Sequence, residues 1–489
     1  MCIRDREYIQ ERYVDPIEWT EATLSHSDWV DTYWAGKYLA YVADLIPMAH
    51  LVGDEAAKQK FINIVRNGLA DWFTYSPELN ENNDHFSKSF VYLDDWKGIF
   101  GFLPGYGSEH FNDHHFHWGY FIRAAAILSI FDESFISEYG GMVDLLVRDI
   151  ASSNKNDPMF PYLRNIDLYH GHSWASGHGT IDGNNQESVS EAIQAWTAVI
   201  LWGAVTGNED YIDTGVFLNT LEYSAAREYW YDIDRDIYDH NAFNGLYTAT
   251  LVMGSKTTNT TWFPADYEHR HGIILIPITP SSLYLGLDPQ FVEDNYNALL
   301  AKTNGVIDNW IDTFAMYRSF YDPEGAIADY DDSTVGSWET AYMYIHNLNN
   351  MGRVDSTVTA NTPLFAVFNK GGVKSYIAYN PEDYPVTVSF SDGFNLDVPA
   401  KSLASTEGID TPVDGDITPP TIPQNLTAVS IGSRTVELRW DESTDDTAVA
   451  GYKLYRNGTS QLLQEFSSIS GWYNVTIHKR RYDFEIGAY

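Results

Sequence analysis

The sequence predicts a mainly α chain: an (α/α)6 toroid of helical hairpins, followed by a short β segment and a small, truncated β-sandwich. Three observations carry this expectation. Helix–turn–helix pairs recur roughly 75 to 90 residues apart. The first helix of each pair is apolar on nearly all faces, whereas the second is amphipathic. After Met351 the pattern changes to the apolar–polar alternation of strands.

The first hairpin, "DWVDTYWAGKYLAYVADLIPMAHLVGDEAAKQKFINIVRNGLADWF", starts near Asp28; the second starts at Asn112 and the third at Glu187. Their turns are "VGDE", "FDES" and "TGNE". Each offers a Gly, Asp or Asn that breaks one helix and a Glu that opens the next. An apolar first helix and an amphipathic second one predict a buried inner ring and a half-exposed outer ring. Further helices are expected in "DPQFVEDNYNALLAKTN", "DNWIDTFAMYRSFY" and "VGSWETAYMYIHNLNNM". The turns within pairs are short, but Ser76 to Phe111 and Asn154 to Gln186 are long and rich in Gly, His, Trp and Asp. Both long connections lead into inner helices, so the functional face is expected at that end.

Residues 1–350 are therefore read as the helical domain. Residues 351–410, which contain "PLFAVFNKGGVKSYIAYNPEDYPVTVSFSDGF", are read as a β segment packing on it, and 411–423 as a linker. Residues 424–489 form a last, incomplete module. With its Pro-Pro entry, Trp440 in "LRW", "GYKLYRNG" and Tyr482 in "RYDFEIGAY", it resembles a fibronectin type III module, Tyr482 standing where that fold has its tyrosine corner.

Composition narrows the function. The net charge of −38 repels nucleic acid and anionic membrane surfaces, so neither is expected as a partner; a neutral substrate fits. Aromatic residues make up 15% of the chain, which suits either a large helical core or a surface that stacks on sugar rings. Cys2 is the sole cysteine, so no internal disulfide forms. No apolar run is long enough to span a membrane. The opening "MCIRDREYIQ" has no signal-peptide core. It is read as a scar ahead of a natural chain that begins upstream, which leaves a secreted location open.

The stretch "FNDHHFHWGYF" poses the chemical question. His115 and His117 form an H-x-H beside Asp113, a residue set that zinc uses. But H-x-H converges on a strand, and this stretch enters a helix. A capping role for Asn112 or Asp113 is the bland alternative. At the equivalent start of the third hairpin, "DGNNQESVSEA" places Glu187 and Glu191 four apart on one helix face. Favourable negative charge at a helix N-terminus would explain the pair without function. Yet Asp113 and Glu187 both open inner helices at the loop-rich end. Opposed carboxyls in an aromatic cleft are the equipment of glycoside hydrolysis. One tension follows: a helix N-terminus depresses a carboxyl pKa, so an acid at Asp113 would need burial or neighbouring negative charge to keep its proton.

Together "NDHHFHWGYF", "YHGHSWASG", "DGNNQESVSEA" and "HGIILIPITP" resemble glycoside hydrolase family 81, the endo-β-1,3-glucanases, over roughly residues 25 to 350. The resemblance implies an (α/α)6 toroid, no metal or other cofactor, and inversion at the anomeric carbon, with carboxyls roughly 6.5–9.5 Å apart. It implies Asp113 as general acid and Glu187 as base, with Glu191 as a supporting or alternative base. It also implies a β-sandwich ahead of the helical domain, read here as missing. Substrate contacts are expected from His117, His172, Trp174, Asp182, Tyr267, His271, Tyr33 and Lys37, each of which packing would explain equally well; Asp182 equally suits a turn. The expected partner is a β-1,3-glucan such as laminarin, bound by a monomer. A non-catalytic glucan binder, or another toroid glycosidase or lyase, is the alternative.

Overall fold

The computed structural model describes residues 31–75, 88–101, 104–179, 181–239, 248–264, 266–331 and 338–406, and the C-terminal strands between 421 and 488. Tyr482 lies outside the described residues. The chain divides into two compact units, the larger containing Asp54–Ile409 and the smaller Asp410–Tyr489.

The larger unit starts with three hairpins. Helix α1 (Thr32–Leu51) is followed by α2 (Glu55–Phe73). The hairpin β1 (Phe90–Leu93) and β2 (Gly98–Gly101) precedes α3 (His114–Phe131) and α4 (Ser134–Ala151). Three short strands, β3 (Ile166–Asp167), β4 (His172–Ser173) and β5 (Asn185–Gln186), lie in the long connection to α5 (Val189–Thr206) and α6 (Glu209–Ala225). The turns work as the sequence predicts. Asp54 caps α2 by accepting from the Ala57 N–H at 2.9 Å, and Asn208 caps α6 by accepting from Tyr211 N–H at 3.2 Å.

Burial separates the two kinds of helix. Every residue of α3 from His114 to Ser129 is buried, and α5 is buried on nearly all sides. The partner helices α2 and α4 bury one stripe each, such as Phe61, Val65, Leu69 and Trp72 on α2. Gly119 lets α3 and α5 touch: a Cβ there would fall 2.7 Å from Ala195 Cβ. Gly36 does the same for α1 against Tyr120 and Phe121. These approaches bring the starts of α1, α3 and α5 together.

The rest of the helical part is less regular. Strand β6 (Leu251–Met253) pairs with β5 and with β7 (Thr257–Thr258), laying the following loop over the start of α5. Then come α7 (Tyr267–Gly272), α8 (Pro289–Lys302), α9 (Ile311–Arg318), α10 (Pro323–Asp331) and α11 (Trp338–Met351). The sequence reading missed α10 and drew α9 too long at both ends. Trp310 takes a left-handed φ of 53° just before α9, and Pro323 starts a new helix soon after it.

After α11 come β8 (Arg353–Val354), β9 (Phe365–Lys370), β10 (Val373–Asn380), β11 (Val386–Ser389), β12 (Asn395–Val398) and β13 (Ser402–Ser405). A four-stranded sheet has the order β13-β10-β9-β8, and β11 pairs with β12. Val367, Tyr376, Ala378, Val388, Phe390 and Val398 form their shared core. The smaller unit holds β14 (Gln424–Ser430), β15 (Thr435–Asp441), β16 (Tyr452–Arg456), β17 (Leu462–Phe466), β18 (Trp472–Thr476) and β19 (Phe484–Ala488). They form two antiparallel sheets, β14-β15-β18 and β17-β16-β19, with Leu438 and Trp440 buried.

Candidate active site

Asp113 stands at the start of α3 with a left-handed φ of 59°. That backbone costs a non-glycine residue roughly 1–2 kcal/mol, though aspartate tolerates it better than most. Its peptide is held from both sides: the N–H donates to Ala175 O at 2.8 Å, and the carbonyl accepts from His117 N at 2.9 Å. Its carboxyl does not cap the helix, which disposes of the bland alternative for this residue. Burial pushes the Asp113 carboxyl well above the usual range, and the charges of Glu191 and then Glu187 add to the effect.

Glu187 precedes α5 and is half-buried. Its Oε1 accepts from the Trp262 backbone N–H at 3.0 Å. Burial raises it to about 7; the Trp262 N–H opposes that rise, and Glu191 reinforces it. Glu191, one turn on, is buried. Its Oε1 accepts from Tyr120 Oη at 2.6 Å and Tyr33 Oη at 2.9 Å, with Lys37 Nζ 4.0 Å away. Lys37 in turn donates to Tyr33 Oη at 3.2 Å. Burial pushes both phenols well above their ordinary range, so they remain donors. Tyr33 feels Glu191, Asp113 and Glu187 in turn, so the three carboxyls share one neighbourhood.

His115 and His117 diverge, as i and i+2 must on a helix. His115 Nε2 meets Ser173 Oγ at 3.2 Å, and its ring stacks on Trp196. His117 Nδ1 bonds Thr32 Oγ1 at 2.7 Å, and its ring lies 5.3 Å from Tyr33. The His117 ring lies beside the site, and its buried Nε2 has no partner among the described residues.

Each of the other expected residues has a protein partner of its own. His172 is buried against Trp174 and Trp230, with Nδ1 bonded to Ser173 O at 2.7 Å. Trp174 is half-buried and donates to Asp167. His271 is buried and bonds Asn295 Oδ1 at 2.9 Å, while Tyr267 lies under Arg270. Asp182 lies in a turn and ties it to the segment after β6: its carbonyl accepts from Ser255 N–H and its carboxylate pairs with Lys256 at 2.6 Å.

Four neighbours of the carboxyls were missed in the sequence. Tyr120 sits two turns beyond Asp113, a spacing that could have revealed it. Trp34 and Tyr106 are exposed aromatics joined by a 2.7 Å hydrogen bond, with Tyr106 5.4 Å from Tyr33. Trp262 is 65% exposed beside Glu187. Loop residues such as Tyr106 and Trp262 reach the site through tertiary contacts that no local spacing announces.

Residues 8–343 match the glycosyl hydrolase family 81 C-terminal domain. A glucan endo-1,3-beta-D-glucosidase of Acetivibrio thermocellus is 42% identical over 397 residues, which is 78% of this chain and 50% of that protein. One of Thermobifida fusca is 36% identical over 390 residues, 77% of this chain and 50% of the relative. The fold superimposes with TM-score 0.76 and 40% identity on a solved glycoside hydrolase family 81 protein from Clostridium thermocellum, a glutamate-to-alanine mutant; 82% of this chain and 56% of the other are covered. The chain thus spans about half the length of the curated relatives it matches.

Proposed function

The chain belongs to glycosyl hydrolase family 81, and from that premise we propose that it cleaves β-1,3-glucosidic bonds within β-glucans such as laminarin, with inversion at the anomeric carbon. The observation that carries the reading is the pair of protonation environments. Asp113 is a carboxyl held up by burial and by two glutamates, whereas Glu187 sits near neutrality with one oxygen anchored by a backbone N–H.

Asp113 gives its proton to the glycosidic oxygen as the C1–O bond breaks. Glu187, as carboxylate, takes a proton from a water whose oxygen bonds to C1 from the opposite face. Glu191 supplies the negative charge that keeps Asp113 protonated, and Tyr33, Tyr120 and Lys37 hold it in place. Trp34, Tyr106 and Trp262 are exposed aromatic faces suited to glucosyl rings.

The same reading takes the helical part as an (α/α)6 toroid, residues 351–410 as a β segment packed on it, and the enzyme as a secreted monomer. The six strands in two three-stranded sheets support a fibronectin type III-like identity for 424–489.

The test is hydrolysis of soluble β-1,3-glucan in EDTA, with the newborn reducing ends followed by NMR. Early α-anomer is expected. Early β-anomer refutes inversion, and no product refutes the activity.

A further inference from the structure

Glu222 lies on α6, in an outer helix, is completely buried, and belongs to no motif. Its two oxygens collect four donors. Oε2 accepts from the Ser173 backbone N–H at 2.8 Å and Trp196 Nε1 at 3.1 Å. Oε1 accepts from Ser173 Oγ at 2.9 Å and Gln186 Nε2 at 3.3 Å. Ser173 Oγ, its own proton committed to Glu222, accepts from Gln186 Nε2 at 2.7 Å and meets His115 Nε2 at 3.2 Å.

The partners are not scattered. Gln186 immediately precedes Glu187. His115 is two residues past Asp113. Trp196 is on α5, the helix that carries Glu191. Ser173 belongs to the segment whose Ala175 carbonyl holds the Asp113 N–H, and Ala175 N–H in turn bonds Asn185 O at 2.7 Å. The backbone stations of Asp113 and Glu187 are thus tied to one buried carboxyl.

We propose that Glu222 is a positioning residue for the hydrolysis: by gathering β4, β5, α3 and α5 it fixes the separation of Asp113 and Glu187, and with it the room for the attacking water. The inference rests on the acid and base roles given above. An amide at this position does not reproduce the carboxylate's bonds without rearrangement. With a glutamine's oxygen toward the fixed donors Ser173 N–H and Trp196 Nε1, its NH2 faces the Ser173 hydroxyl and the Gln186 amide, both of which must turn to accept. Holding a catalytic pair to within a fraction of an ångström is what such supporting bonds achieve.

The experiment compares Glu222→Gln, Glu222→Asp and Ser173→Ala with the wild type on soluble β-1,3-glucan, and determines the crystal structure of Glu222→Gln. For Glu222→Gln a fall in kcat of about tenfold or more is expected, with KM little changed and an altered Asp113–Glu187 carboxyl separation. Glu222→Asp should recover part of kcat. Ser173→Ala, which keeps the backbone bond to Glu222 and leaves its carboxylate in place, should lower kcat in the same way. A lower Tm with unchanged kcat per folded molecule and unchanged carboxyl separation would make Glu222 merely structural and overturn the proposal. A wild type inactive on the glucan overturns the hydrolase reading by itself. The carboxyl separation in Glu222→Gln still decides the positioning role.

Discussion

The acid limb of the pH–rate profile is the sharpest check on which glutamate activates water. Glu187 must be ionised to act as base, and burial holds it up at about 7. At pH 5 only about 1% of it is carboxylate and at pH 7 about half, so kcat/KM should be about 50-fold lower at pH 5 than at pH 7. The limb should climb tenfold per pH unit. In Glu187→Gln the plateau should fall by about 10²–10⁴ and the residual rate should lose that limb. Stability should move the opposite way. A carboxyl raised from 4.5 in the unfolded chain to about 7 in the fold favours folding most below pH 4.5, and that advantage is lost as pH rises toward 7. Above pH 7 ionised Glu187 costs the fold at most about 3 kcal/mol, less whatever solvent screens at its open face. Glu187→Gln should therefore melt higher than wild type at pH 8 and show no such advantage at pH 4. The assays are initial rates on soluble β-1,3-glucan from pH 4 to 9 and thermal unfolding over the same range. A wild-type limb centred at pH 5 or below, or a limb near 7 surviving in Glu187→Gln, refutes Glu187 as base.

Asp113→Asn cannot deliver a proton, and kcat should fall by about 10²–10⁴ while KM, set by the aromatic faces, changes little; a variant within tenfold of wild type removes Asp113 from the acid role. Tyr120→Phe deletes the 2.6 Å donor to Glu191, and kcat should drop by about tenfold, the worth of one hydrogen bond to a charged group, as read by steady-state kinetics. Trp262→Ala keeps the backbone N–H on Glu187 but removes an exposed ring. It should raise KM for long glucans and leave the acid limb near pH 7 in place, as rate profiles on long and short substrates would show.

The hairpins were legible because their signals are local. "VGDE" and "TGNE" contain the very Asp54 and Asn208 that cap the following helices, and the all-round apolar character of α3 marked it as buried. Asp113, Glu187 and Glu191 were singled out because each stands at the start of a helix apolar on nearly all faces, a position that pattern alone locates, and the structure brings them into one neighbourhood. His172 and His271 were expected at the site from the residues around them; in the structure both are buried, one ring nitrogen of each bonded to Ser173 O and Asn295 Oδ1 respectively. Glu222 was invisible for a related reason. It lies mid-helix on an outer element, its polarity indistinguishable in sequence from that of a solvated face. Only the arrival of Ser173 and Gln186 from two separate strands gives it a purpose.

The conflict between a helix N-terminus and a carboxyl that must keep its proton is resolved at Asp113 by conformation. An aspartate in the extended backbone usual for a cap would turn its carboxyl onto the free N–H groups of the first turn, and those bonds would favour the ionised form. The left-handed φ of 59° and the bond from Asp113 N–H to Ala175 O leave the carboxyl without a cap bond. What remains is burial and the field of Glu191 and Glu187, all of which favour the neutral acid. On the proposed roles, Glu191 and Glu187 serve the proton on Asp113 through their charge. Tyr120 and Tyr33 donate to Glu191 Oε1, and Lys37 Nζ lies 4.0 Å from the same oxygen, which fixes where that carboxyl stands. In the proposed mechanism the left-handed backbone at Asp113 and the buried phenols at Glu191 act on one carboxyl: the first keeps helix N–H groups off it, and the second fixes the position of a glutamate whose charge raises it.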